Sequence, residues 1–470
     1  MNVTGYRNED RKLHAEGCPQ RGPTESGGYA EASDCGKMAE NNATNTNNRK
    51  GELMEQIIRR ENLNAAFKKV KANKGAGGVD EMQVNELLPY LKQHGEELTQ
   101  KLREGKYKPN PVRRVEIPKE EKGKVRQLGI PTVADRMIQQ AITQILSPIY
   151  EPQFHEWSFG FRPKRGAHDA LKQCRQNVND GYAYVVDMDL EKFFDTVSQS
   201  KLTEILSRTI KDGSVISLIS KYQRAGVVEN GMFARTDVGV AQGGNLSPLL
   251  SNIMLNELDW ELERRGHRFV RYADDLMIFC KSKRAAERTL ANIIPFIERK
   301  LFLKVNREKT KVAHIRYVKY LGYAFYRHKG ECRFRVHHKS VEKMKDRIRM
   351  ITSRSNGWSN DFRIQRLTQF IRGWVNYFKL ADMKNLLVDT DEWLRRKIRA
   401  IYWKQWKKVK TRLRMIGKFN LPEWKVKELA NCRKGIWRAS IMLNAVLTKE
   451  VIASLGYMTM TDYYLKVCVN

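Results

Sequence analysis

Phe269-Val270-Arg271-Tyr272-Ala273-Asp274-Asp275-Leu276-Met277-Ile278-Phe279 is the stretch that decides the fold. Two adjacent carboxylates sit between two apolar, strand-forming runs, which predicts a tight β-hairpin with the acids at its tip. Like charges side by side cost free energy unless something cationic lies between them. Mg²⁺ suits that position, because it takes carboxylate oxygens and shares the rest of its shell with substrate phosphates. The hairpin therefore points to polymerase-type nucleotide chemistry.

The composition fits a polyanionic partner. The 470 residues leave room for two or three domains with cores of their own. Lys and Arg number 86 against 53 Asp and Glu, a formal net charge of +33. An excess of this size indicates nucleic acid, with a membrane surface as the competing polyanion. No apolar run of about 18 residues is present to span a bilayer, and no signal-peptide pattern is visible, so a cytoplasmic protein is expected. The seven cysteines are scattered, odd in number and never spaced CxxC. A zinc ribbon or disulfide framework is thereby disfavoured, and reduced thiols are expected.

Residues 1–48 are rich in Gly, Asn, Ser, Thr and Glu, with too little apolar surface to offset ordering entropy, and read as a disordered leader. From Leu53 the apolar residues recur at helical spacing (Leu53, Ile57, Leu63, Ala66, Phe67, Val70) until the glycine-rich turn 73–80. A second helix is expected over 83–104. Val112, Val115 and Ile117 face Val125, Leu128 and Ile130 across a charged turn at 119–124, which predicts a hairpin. Helical spacing resumes over 133–147, and Tyr182–Val186 reads as a strand.

That strand runs into a second acid cluster, Asp187-Met188-Asp189-Leu190-Glu191-Lys192-Phe193-Phe194-Asp195. An Asp at the end of a buried strand suits a metal ligand presented at a sheet edge. With Asp274 and Asp275 it would supply three carboxylates for two Mg²⁺ ions, which lower the pKa of an attacking hydroxyl and neutralise a leaving pyrophosphate. Either cluster alone reads as a solvated loop; two on predicted β elements read as a site.

These residues and their order resemble the bacterial group II intron-encoded reverse transcriptases, or maturases, over roughly residues 50 to 470. The blocks are Asn73-Lys74-Gly75 through Asp80, Ile117-Pro118-Lys119 through Gly129-Ile130-Pro131, Ser158-Phe159-Gly160-Phe161-Arg162-Pro163, the Asp189 block, Gln242-Gly243-Gly244-Asn245-Leu246-Ser247-Pro248, the Tyr272–Asp275 box, Asn306 to Lys309-Thr310, and Leu321-Gly322-Tyr323. The resemblance implies a catalytic triad of Asp189, Asp274 and Asp275, with the Leu190 carbonyl as a further metal ligand and Mn²⁺ able to stand in for Mg²⁺. Asp187 and Asp195 flank the block and read as structural. Phe194 matches the aromatic steric gate that tells dNTP from NTP. Lys119 and Arg126 match the triphosphate clamp, Gln242 a contact near template and nucleotide, and Lys309 a further phosphate contact. The usual Pro before that Gln is Ala241 here, a departure that loosens the turn.

Seven of the nine tryptophans fall between residues 358 and 437, interleaved with cations such as Arg395-Arg396-Lys397. Their spacing suits helix packing, while the unpaired cations suit phosphates of folded RNA or a primer–template duplex. Arg372-Gly373-Trp374-Val375-Asn376-Tyr377-Phe378 resembles the family's thumb, or X, domain. After residue 440 there is no His and one Cys, which argues against the HNH nuclease of some relatives and suggests a compact, class C-like member.

The expected architecture is α+β, a right-hand polymerase with fingers, a β-sheet palm and a helical thumb. The expected domains are the leader 1–48, an N-terminal extension and fingers over 49–180, a palm over 181–330 interleaved with the fingers, a thumb/X domain over 331–440 and a short helical extension over 441–470. The expected partners are intron RNA, an RNA template with a DNA primer, dNTPs and target DNA, with no membrane and no obligate protein partner. Two alternatives stay open on sequence alone: an RNA-binding splicing factor with dispensable polymerase activity, and a domesticated reverse transcriptase in phage defence or CRISPR adaptation.

Overall fold

The computed structural model describes residues 51–118, 125–236, 238–239 and 242–469. The expected leader, the 119–124 turn with Lys119, and Ala241 lie outside the described residues. The chain divides into two compact units, one over residues 51–343 with Leu380–Met383, the other over Met344–Lys379 and from Lys384 onward.

In the first unit, helices Glu52–Ile58 and Arg60–Asn73 pack with helix Val133–Tyr150, burying Ile57, Ala66, Val70, Ile138 and Ala141. Thr132 caps the last of these by accepting from the Asp135 amide. The helix expected over 83–104 spans Leu87–Arg103. The predicted hairpin forms as β1 (Val112–Pro118) and β2 (Val125–Ile130), antiparallel, with Ile117 opposite Arg126. Two short strands, β4 (Val227–Glu229) and β5 (Met232–Ala234), extend it to a four-stranded sheet in the order β2-β1-β4-β5.

The second sheet carries both acid clusters. It orders β6 (Arg268–Tyr272), β7 (Asp275–Cys280), β3 (Tyr184–Met188) and β8 (Lys311–His314) as β6-β7-β3-β8, all antiparallel. Tyr272 pairs with Asp275, so the hairpin turn is Ala273-Asp274 alone. Ala273 takes a left-handed φ of 58°, a conformation that a non-glycine residue holds only when its surroundings impose it. Strand β3 begins later than sequence alone suggests and continues through Asp187 and Met188, because the ladder to β8 reaches Asp187 and the ladder to β7 reaches Met188. Val185, Val186, Met277 and Ile278 fill its core, and helix Lys283–Arg299 packs on β3, β7 and β8. A third sheet, β11-β10-β9, follows from β9 (Lys319–Tyr320), β10 (Tyr323–His328) and β11 (Glu331–Val336).

The second unit is helical, with Met460–Val469 packed on both Asn360–Phe378 and Lys384–Gln405. Ile371, Val375, Leu387, Leu394 and Ile398 form its centre, and Trp403 and Trp406 are buried. The Asp391 carboxylate accepts from the Met460 and Thr461 amides at 2.9 Å each, capping the last helix. Trp424 and Trp437 instead stay exposed, and the Arg396 guanidinium lies 3.8 Å from the Trp437 ring centroid. The tryptophans are thus divided between core and surface. Among the described residues, no helix is long and apolar enough to cross a membrane.

Candidate active site

The sheet register sets the acids together. Met188 pairs with Leu276, which leaves Asp189 just beyond the end of β3 beside the first residue of β7, Asp275. Asp189 is fixed through its backbone: its carbonyl accepts from the Asn306 amide at 2.9 Å, and its amide donates to Thr310 Oγ1 at 3.2 Å. Leu190 forms an isolated bridge with Val305. The Lys309 ammonium stands 3.7 Å from Asp189 Oδ2, and Lys311 stands 3.6 Å from Asp187 Oδ2. Asp187, read from sequence as structural, therefore faces the same field; Asp195 is exposed at the far end of the following helical turn.

Burial, and then the negative charge of neighbouring carboxylates, raises Asp187, Asp274 and Asp275. Asp275 is pushed up to about 7, first by loss of hydration among the surrounding protein and then by the negative charges of Asp274, Asp187 and Asp189, with Lys319 opposing. Asp274 is raised for the same leading reason and by Asp189, while Arg126 and Arg271 pull it down. Both side chains still reach solvent at the rim of the sheet, so the crowding acts from their protein-facing side. As the side chains stand, no three His, Cys, Asp or Glu residues among those described close around a single point. The donors are nonetheless all hard oxygens with surplus negative charge, which is the chemistry a divalent cation requires. They fit such an ion.

A buried ion pair holds the turn from behind. Arg271 and Asp259 are 1% and 0% exposed at their side chains. Arg271 donates through Nε to Asp259 Oδ1 at 2.8 Å and through Nη2 to Oδ2 at 2.5 Å. Its Nη1 reaches Asn252 Oδ1 at 2.9 Å and the Ala273 carbonyl at 3.0 Å. Asn252 in turn donates to the Gly160 carbonyl at 2.8 Å. A Cβ on Gly160 would lie 2.2 Å from the Ala273 nitrogen, so only glycine lets this segment touch the turn. None of these supporting roles is assigned in the sequence reading. The available signal was Arg271 itself, a charge inside an apolar strand that must find a buried partner.

Of the other residues singled out in sequence, Arg126 lies on β2 with its side chain exposed, and its charge reaches Asp274. Phe194 is half-buried in the helical turn Phe193–Thr196, its ring 5.3 Å from that of Phe193 and perpendicular to it within 15° (interplanar angle 75°). The Gln242 carbonyl accepts from the Gly129 amide at 2.8 Å, so the Gln242-Gly243-Gly244 segment rests against β2. A Cβ on Gly243 would meet the Gly129 carbonyl at 2.6 Å, and φ there is +126°.

Comparison with known proteins decides the family. The model of the reverse transcriptase (RNA-dependent DNA polymerase) family matches residues 117–325, and that of the group II intron maturase-specific domain matches residues 341–418. Protein YkfC of Escherichia coli (strain K12) is 34% identical over 319 residues, which cover 59% of this chain and 84% of YkfC. The group II intron-encoded protein LtrA of Lactococcus lactis subsp. cremoris is 31% identical over 339 residues, covering 58% of this chain and 56% of LtrA. This chain belongs to the group II intron reverse transcriptase–maturase family. A putative COX1/OXI3 intron 2 protein of Saccharomyces cerevisiae is 28% identical over 62% of this chain and 41% of its own length. The chain thus spans about half or less of these two intron-encoded relatives. Within the reverse transcriptase domain of this family member lie both acid clusters, Arg126, Phe194, Gln242 and the whole Arg271–Asp259 network.

Proposed function

We propose that this chain copies RNA into DNA at the Asp189–Asp274–Asp275 cluster. The observation that carries the reading is the sheet register that sets Asp189, just past the end of β3, beside Asp275 and the β6–β7 turn, with the turn held by the buried Arg271–Asp259 pair. In the reaction, the primer 3′-hydroxyl oxygen bonds to the α-phosphorus of a dNTP as the bond to the β-phosphate oxygen breaks. Pyrophosphate leaves, and the hydroxyl proton passes to solvent. Two Mg²⁺ ions, which Asp189, Asp274, Asp275 and the Leu190 carbonyl would hold, supply the positive charge that this exchange demands.

The remaining roles belong to side chains. Arg126 grips the triphosphate with its planar fork, a role that the family resemblance shares with Lys119. Phe194 presents a ring that collides with a ribose 2′-hydroxyl, and the Gln242-Gly243 backbone lies near the nascent base pair. Lys309 adds a cation beside Asp189. The cation-rich helices from Asn360 onward bind the intron RNA, assist splicing and keep the protein on the ribonucleoprotein that retrohomes into target DNA. This activity belongs in the cytoplasm, where intron RNA and chromosome meet.

The test is extension of a DNA primer on an RNA template with dNTPs and Mg²⁺, compared with Asp274→Asn. Product from the wild type and none from the variant supports the reading, and equal extension by both overturns it. Intron RNA binding by the inactive variant separates the two roles.

A further inference from the structure

The Phe194 ring can stand only where its own backbone is held, and that backbone rests on a glycine from a different segment. Gly239 is buried, with φ +94°. Its amide donates to the Val197 carbonyl at 2.8 Å. A Cβ built on Gly239 would lie 2.9 Å from the Phe194 carbonyl oxygen and 2.9 Å from that of Asp195. No real side chain tolerates two such contacts with backbone, so the segments touch through a bare Cα.

The turn above it cannot absorb a push locally. Asp195 donates its amide to the Lys192 carbonyl at 2.8 Å, Val197 to Phe193 at 3.2 Å, and Thr196 Oγ1 lies 3.1 Å from the Glu191 carbonyl. Phe193, 3% exposed, anchors the turn in the core and walls one side of the Phe194 ring. Below, Gln199 is 6% exposed and its Nε2 donates to the Gly239 carbonyl at 3.2 Å and the Gln223 carbonyl at 3.0 Å. Gly239 is thus clamped from beneath and in contact from above. Displacing it moves a stiff unit that carries Phe194.

We propose that Gly239, held by Gln199, is a specificity-determining positioning residue that sets how far the Phe194 ring projects toward the sugar of the incoming nucleotide. This rests on the reading of Phe194 as the sugar gate. The second glycine of the same segment supplies a contrast, because the three nearest atoms to a Cβ built on Gly243 all belong to Gly129 on β2. One segment therefore carries two separable supports, one for the sugar and one for the side of the site that carries Arg126.

The test compares kcat/KM for a dNTP with kcat/KM for the matching NTP in single-nucleotide primer extension, with thermal denaturation run alongside. Gly239→Ala is expected to lower the dNTP preference about tenfold, the scale of a lost steric rejection. Gly243→Ala is expected to raise KM for both nucleotides and leave their ratio in place. In a Phe194→Val background, Gly239→Ala is expected to change the ratio no further, since both act through one ring. If Gly239→Ala fails to fold, Gln199→Met removes the clamp and is expected to lower the preference about threefold, the scale of one neutral hydrogen bond. A wild-type ratio in Gly239→Ala or Gln199→Met while Phe194→Val loses selectivity overturns the inference and leaves the gate standing. An equal loss of ratio in Gly243→Ala overturns it too. An unchanged ratio in Phe194→Val removes the gate itself, and the inference with it.

Discussion

Gly160 and the Ala273 amide lie so close that a methyl group on Gly160 would fall 2.2 Å from the Ala273 nitrogen. The acids at 274 and 275 are thereby pressed into place by a segment more than a hundred residues earlier. The Phe159 amide donates to the Arg271 carbonyl at 2.9 Å, and Arg271 returns its own amide to the Trp157 carbonyl at 3.0 Å. The turn is held on one side by this ladder and on the other by the Arg271 guanidinium.

Gly160→Ala should therefore displace the Ala273-Asp274 turn. A misplacement of about 1 Å at reacting groups costs about a hundredfold in rate, so kcat for primer extension should fall by that order. Single-turnover extension at saturating dNTP checks it, and a rate within twofold of wild type would mean that Gly160 does not place the turn.

Asp259→Ala leaves the Arg271 guanidinium buried without its carboxylate. Breaking a buried pair from one side typically costs about 3–5 kcal/mol. Chemical denaturation should show a loss of that size in the first unit, and Asp259→Asn should recover part of it by keeping one acceptor. Equal stability of wild type and Asp259→Ala would mean that the pair contributes nothing net.

Asp274→Asn keeps the shape of the turn and removes a charge that the proposed reaction needs. Several kcal/mol of lost charge stabilisation corresponds to about a thousandfold in rate. Extension should become undetectable or nearly so, while the melting temperature does not fall, because a crowded and partly dehydrated carboxylate has been neutralised. Chelation of divalent metal by EDTA should abolish wild-type extension in the same assay.

Phe194→Val should admit ribonucleotides. The dNTP preference is expected to fall about tenfold or more, chiefly through better NTP use. Competition between a dNTP and the matching NTP on one template reads the change directly.

Arg126→Ala should raise KM for dNTP about tenfold, the scale of a charge-assisted hydrogen bond to phosphate, with a smaller effect on kcat. Since Arg126 also pulls Asp274 down, the variant should make Asp274 harder to ionise. Its pH–rate profile should accordingly shift its acidic limb upward.

The two central hairpins were readable from sequence because their signals are local. Apolar runs on either side of Asp274-Asp275 and of the 119–124 turn have strand composition, and the structure forms β6–β7 and β1–β2 there. The Asp189 cluster was readable as a strand end, although β3 runs to Met188 because of pairing that the sequence of β3 alone does not contain. The helical character beyond the third sheet was legible from periodicity and cation density.

Sequence by itself, with the family resemblance it carries, singled out the residues proposed for the chemistry: paired acids on β elements, an aromatic five positions after Asp189, cations on a hairpin, and a basic helical third. Tertiary structure alone decided what holds them. Asp187 faces Lys311 across a ladder, Arg271 finds Asp259 in a helix, Gly160 meets Ala273, and Gly239 lies under Phe194. Periodicity reports only which face of an element is buried. Close approach between distant backbones depends on how whole elements pack, and the absence of a side chain at a glycine acquires meaning only once its neighbour is in place.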